Sequence, residues 1–229
     1  LEFRRVLFRS TLETLTRETI STKTTAGEKS AWFSEFRSVA MTPEALAWIA
    51  KLWSREEKIE GLPLAETDEI AMALTLAVKE APGWRDILQR QLARTQNADR
   101  RDRLTFLLPF VDADPAVRER AFGSLKRLEN RSHEPWVLDA LRYLNHPLRE
   151  EHARRFVTPS LAMLPEIRRT GDIFFPKRWA DASLASHKSP QAAAAVRGYL
   201  TKESSLPQRL RWFVEASADP LLRANPIER

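Results

Sequence analysis

Two short stretches hold the histidines and glutamates that could do metal chemistry, "SHEP" at Ser132–Pro135 and "HPLREEH" at His146–His152. A zinc-peptidase helix carries His-Glu-x-x-His, which sets two imidazoles one turn apart on one metal, with the glutamate as base. In the first stretch Pro135 follows His133 by two residues, which puts that histidine ahead of a helix start, and the second histidine of the motif is missing. In the second stretch His146 and His152 are six residues apart. That separation is about 240° around a helix of 3.6 residues per turn, so a regular helix aims them at different neighbours. These histidines read as caps and surface groups. The chain has no cysteine, hence no disulfide and no thiolate metal site. It carries no glycine-rich phosphate loop, nucleophile elbow or EF-hand loop, and no spacing singles out a carboxylate pair for acid–base work. From the residues alone the chain reads as a helical scaffold or binding module.

The elements that would position any site are legible in the prolines. In "TPEAL", "DPAVRER", "EPWVLDAL", "HPLREEH", "TPSLAML", "FPKRWAD" and "SPQAAAA" a proline stands where a first helical position would be, several of them behind a capping Thr, Asp or Ser. The 14 prolines and 6 glycines suit many short helices better than a sheet joined by glycine turns. Apolar spacing agrees: Leu104, Leu107, Leu108 and Val111 form one stripe, Val117, Ala121, Leu125 and Leu128 a second, and Val137, Leu141 and Leu144 a third. Ile70–Val78 is apolar nearly all round, as an inner helix would be. Gly61 and Pro63 end one helix, and another begins near Thr67. The predicted fold is all-α, an irregular HEAT- or armadillo-like α-solenoid of short antiparallel helix pairs. Residues 11–60 form its N-terminal part and residues 61–229 the main array, as one continuous domain.

The first ten residues, "LEFRRVLFRS", stand apart. Reverse translation of Arg4–Ser10 reproduces a run common in sequencing-library adapters, so residues 1–10 read as translated adapter and the native chain as cut off upstream of Thr11. A secretory signal would need an apolar stretch that Arg4, Arg5 and Arg9 interrupt. With no evolved packing partner, these residues are expected to be disordered or loosely attached, with Phe3 and Leu7 outside any core. They account for +2 of the formal +6 charge, leaving +4 on the remainder. There the basic residues alternate with acids, as in "DRRDR" and "VRERAF", which reads as solvated helix faces rather than a nucleic-acid track. No apolar run approaches the roughly 18 residues of a membrane span.

One further segment invites a functional reading, "RRTGDIFFPKRWADASLASH". Gly171 is placed to end a helix in the left-handed conformation and Pro176 to start the next, with Phe174 and Phe175 between them. A tight turn with both phenylalanines plugging the core is one reading. The other makes Arg168, Arg169, Lys177, Arg178 and Trp179 a surface for carboxylates or aromatic groups.

That segment also carries a resemblance. With "GLPLAETDEIAMALTLAVKE", "QLARTQNADRRDRLTFLLPFVDADPAVRERAFGSLK" and "LENRSHEPWVLDALRYLNHPLREEHARRFVTPSL", it resembles the C-terminal helical domain of bacterial M1-family zinc aminopeptidases, of the endoplasmic-reticulum-aminopeptidase-like type. The likeness runs from about Ala40 to Ala224, with "HEPWVL", "HPLR" and "TGDIFFPKRW" the most specific runs. It implies a multidomain peptidase whose catalytic domain holds zinc on an H-E-x-x-H helix and grips the free amino end with a G-A-M-E-N loop. Neither motif occurs here, so no catalytic or metal-binding residue is carried over. The implied partners are that catalytic domain, on the same polypeptide, and a peptide substrate. The implied role is a lid and chamber wall without activity of its own. Pro165 departs from the pattern where a helix would continue, and should kink or split it. A stand-alone HEAT-like scaffold that binds a protein is the main alternative, and basic helical RNA binding ranks last.

Overall fold

The computed structural model describes the backbone of residues 2–226 and the side chains from Ser10 onward; among the described residues every regular element is helical. The chain divides into two compact units, Leu1–Thr105 and Phe106–Arg229. The division falls inside a helix, and the connection around Gly61 lies within the first unit.

The first unit contains α1 (Glu2–Thr22), α2 (Ala26–Val39), α3 (Pro43–Ser54), α4 (Glu66–Val78), α5 (Trp84–Arg94) and most of α6 (Ala98–Val111). The second contains α7 (Pro115–Ser124), α8 (Glu134–Leu144), the single turn α9 (Glu150–Ala153), α10 (Val157–Ala162), α11 (Leu164–Thr170), α12 (Phe175–Leu184), α13 (Pro190–Lys202) and α14 (Gln208–Ala224). The backbone of α1 begins at Glu2. No proline or glycine separates Glu2 from Thr22, and once a helix is nucleated each added residue costs little. The side chains of Phe3 and Leu7, on which the expectation of a loosely attached leader turns, lie outside the described residues.

Capped prolines start helices where the sequence places them. Thr42, Asp114 and Ser189 each accept a backbone N–H from the first turn of α3, α7 and α13, with Pro43, Pro115 and Pro190 next in line. Pro147 opens only a short 3-10 turn, and Pro159 stands inside α10 rather than at its start, because Val157 and Thr158 already belong to that helix. Pro165 does split its segment: α10 and α11 are separate, and the proline sits in the first turn of α11.

In the first unit α4 packs against α2, α3 and α5. Its Ile70, Met72, Ala73, Leu74, Leu76, Ala77 and Val78 are all buried, as an inner helix requires. In the second unit α12 is central and packs on α8, α10, α11 and α14. Leu128, read as the end of the stripe begun by Val117, is instead exposed, because α7 stops at Ser124 and the phase is lost.

Many charged side chains tie helix ends to neighbouring helices. An unpaired helix terminus leaves N–H groups at one end and carbonyls at the other, and the macrodipole favours acids at the first and cations at the second. Glu13 of α1 accepts from the amides of Met41 and Thr42 at the start of α3. Lys79 donates to the carbonyls of Arg37, Ser38 and Ala40 at the end of α2; burial pushes its pKa down to about 8, with Glu13 opposing the shift and Arg37 adding to it. In the second unit Arg118 and Arg149 hold four successive carbonyls, Phe110 to Ala113, at the end of α6. Arg211 and Arg197 do the same for the ends of α13 and α14. Arg118 is buried, so the "VRERAF" run is not the wholly solvated face the sequence implied.

One such tie is acid-sensitive. Glu150 Oε1 accepts from the amides of Lys188 and Ser189 at the start of α13, at 2.7 and 2.6 Å. Burial raises its pKa, but these hydrogen bonds and nearby His187 together hold it below its usual 4.5. His187 is buried, with Nε2 3.0 Å from Asn145 Oδ1, and desolvation pushes it below its usual 6.5 although the Glu150 charge opposes this. The unfolded chain therefore takes up the histidine proton first, and stability falls as pH drops below 6.5. The Glu150 contribution is present above 4.5 and is lost as pH falls through its lower folded value. Urea midpoints are expected to decline from pH 6.5 to 5 in the wild type and less steeply in His187→Gln; parallel profiles would remove His187 from the account.

Candidate functional site

The 164–181 segment is built around the α11–α12 turn. Arg168 and Arg169 lie in the last turn of α11, where cations complement the exposed carbonyls. Gly171 then leaves the helix with φ −106° and ψ 177°, extended rather than left-handed as its type implied. The reason for glycine is space: a Cβ there would lie 2.5 Å from Phe175 Cδ1 and 3.0 Å from Glu134 Oε1. Glu134 accepts the Asp172 amide at 2.7 Å, and Asp172 Oδ1 accepts the Phe174 amide at 2.8 Å. The turn is thus fastened from behind to the start of α8.

The two phenylalanines part company. Phe175 is 1% exposed and meets Trp179 edge-on at a centroid distance of 5.9 Å. Phe174 is 60% exposed and its neighbour Ile173 62%, contrary to the expectation that both phenylalanines plug the core. Phe175 is the first residue of α12, so Phe175 and Trp179 share the inward face one turn apart, while Phe174 precedes the helix.

The five candidate contact residues are likewise not one surface. Trp179 is fully buried and its indole N–H donates to the Ser160 carbonyl at 3.0 Å, which leaves it no face for a ligand. Lys177 is half-buried and pairs with Asp181, which also accepts from Ser217 Oγ at 2.7 Å. Arg168, Arg169 and Arg178 are exposed, and the Arg178 guanidinium lies 5.6 Å from the Phe174 ring centroid. What the turn presents is therefore Ile173, Phe174 and Arg178, flanked in sequence by Arg168 and Arg169. Such a surface suits a carboxylate or an aromatic group.

Sequence reasoning missed the residues that hold this turn. Glu134 was weighed only as part of "SHEP", and its partner is 38 positions away. Arg131, buried, pairs with Glu166 of α11 and donates to the Leu125 carbonyl. No local pattern reports such long-range pairings.

Among the described residues no three His, Asp or Glu side chains gather as a metal-binding group. His133 stacks on Trp136, His146 accepts the Leu148 amide, His152 meets Glu119, and His187 meets Asn145. No described helix is long and apolar enough to cross a membrane. Compared with family models and with curated proteins, the chain matches none of them.

Proposed function

We propose that this chain is the C-terminal helical part of an M1-type zinc aminopeptidase, stacked as an irregular HEAT-like α-solenoid that walls the peptide chamber. The observation that carries the reading is the presented turn at Ile173, Phe174 and Arg178, held rigidly by Glu134 and lying in the run of closest resemblance, "TGDIFFPKRW". A preformed aromatic and cationic surface binds with little ordering cost. Zinc would be held by the catalytic domain's own residues.

The upstream reading frame tests the assignment: it should encode H-E-x-x-H and G-A-M-E-N. A frame with neither motif leaves the scaffold reading, in which the same turn binds a protein partner. In the complete enzyme, Arg178→Ala is expected to raise KM for a nonapeptide by about tenfold or more, the worth of one charge-assisted contact at about 1.5 kcal/mol or above. KM for an aminoacyl reporter too short to reach the turn should hold. Equal effects on both substrates would reduce the segment to a structural turn.

A further inference from the structure

In the first unit, the loop after α3 folds back over Leu52 and encloses an open cleft of about 560 Å³. Its apolar lining includes Leu52, Ile59, Leu62 and Leu64, and its charged lining is Arg55 and Glu69 together with Glu57, which pairs with Lys51, and Glu60, which pairs with Lys58. Small-ligand clefts have this make-up, apolar walls with a few fixed polar groups that set orientation.

Glu69 is buried and receives two guanidinium groups. Arg55 donates Nε and Nη2 to its Oε1 at 3.1 and 2.7 Å, and Arg94 Nη2 lies 3.3 Å from Oε2. Two cations on one carboxylate leave a unit of positive charge uncompensated. Arg94 also donates Nε to Gln91 Oε1 and Nη2 to the Trp53 carbonyl and lies over the Trp53 ring. Of the two guanidinium groups, that of Arg55 is the more open to solvent, its side chain being 75% exposed against 30% for Arg94.

The backbone at Arg55 adds a second observation. It is the C-cap of α3 with φ +67°, in the left-handed region where glycine is the unstrained choice. An arginine at such a position carries a backbone cost that its side chain must offset. The carboxylate of Glu69 holds that side chain through Nε and Nη2 in the lining of the cleft, and a guanidinium edge matches a carboxylate bidentately.

We infer that this cleft binds an apolar monocarboxylate, the carboxylate on the Arg55 guanidinium and the aliphatic part against Leu52, Ile59, Leu62 and Leu64. This inference is independent of the reading of the α11–α12 turn. Either a fatty-acid-like chain or the free C-terminus of an apolar peptide supplies that chemistry, so the test uses octanoate and N-acetyl-leucyl-leucine as separate arms.

Calorimetric titration of the full chain should give saturable one-to-one binding of at least one of the two with Kd below about 1 mM, corresponding to roughly 4 kcal/mol. The better-bound arm assigns the source. Octan-1-ol and octylammonium should bind at least about tenfold more weakly than octanoate, for want of the ion pair. Arg55→Gly is the informative variant, because glycine relieves the positive φ and keeps the fold while removing the guanidinium. It should weaken carboxylate binding about tenfold, and Arg55→Gln, which keeps part of the stem, should do the same. Equal affinity for octanol and octanoate, unchanged binding by both variants, or no saturation by either carboxylate would overturn the inference.

Discussion

Trp179→Ala is expected to destabilise the second unit by about 3–5 kcal/mol, the range for truncating a large aromatic in a packed interior. Trp179 is fully buried in α12, the helix on which α8, α10, α11 and α14 all pack. Its removal opens a cavity at that junction, leaves the Ser160 carbonyl without its indole donor, and takes the edge-on partner from Phe175. At about 2–4 °C per kcal/mol for a protein of this size, Tm should fall by roughly 10 °C. Arg178→Ala, one residue away on the exposed side, should stay within about 0.5 kcal/mol of the wild type. The pair separates the two readings of one sequence run. A Trp179→Ala variant with nearly unchanged Tm would mean that the indole is free for a ligand, as first read.

That run also shows where sequence pattern suffices and where it fails. Helix starts were legible because their signal is local: Thr42 with Pro43, Asp114 with Pro115 and Ser189 with Pro190 supply an acceptor and a fixed φ at adjacent positions. The inner character of Ile70–Val78 was legible from composition, since a helix apolar on every face must be enclosed. The fates of Phe174, Phe175 and Trp179 depend on where α12 begins, and one position in a helix rotates a side chain by about 100°. "FFPKRW" fixes that start only to within a residue or so, which is enough to interchange core and surface. Gly171 invited a left-handed reading because that is the commonest use of glycine after a helix. The true constraint is the closeness of Phe175 and Glu134, one of them 37 residues upstream, and no local pattern contains it.

Charge was the least legible property. A basic pI of about 9.9 with Arg and Lys interspersed among acids reads as solvated surface, yet several of these cations are committed to helix ends. Arg149→Met tests how much that commitment is worth. Arg149 is 6% exposed and donates Nη1 to the Phe110 carbonyl at 3.1 Å and Nη2 to the Val111 carbonyl at 2.7 Å. Methionine keeps an apolar stem but no donor, so two carbonyls at the buried end of α6 lose their partner. At about 1–3 kcal/mol for each buried group left unsatisfied, with partial relief from water, the expected loss is about 2–4 kcal/mol. Arg149→Lys should recover part of it, because an ammonium can reach one carbonyl but not span both. Arg118, on the next two carbonyls, shares the same helix end, so the double variant with Arg118→Met should depart from additivity by at least about 0.5 kcal/mol. Arg155→Ala, which removes only an exposed pair with Glu119, should cost no more than about 1 kcal/mol. If Arg149→Met costs as little as Arg155→Ala, the buried cations are not structural caps. Their charge would then be spare for an anionic partner, and the RNA reading ranked last from sequence would regain its footing.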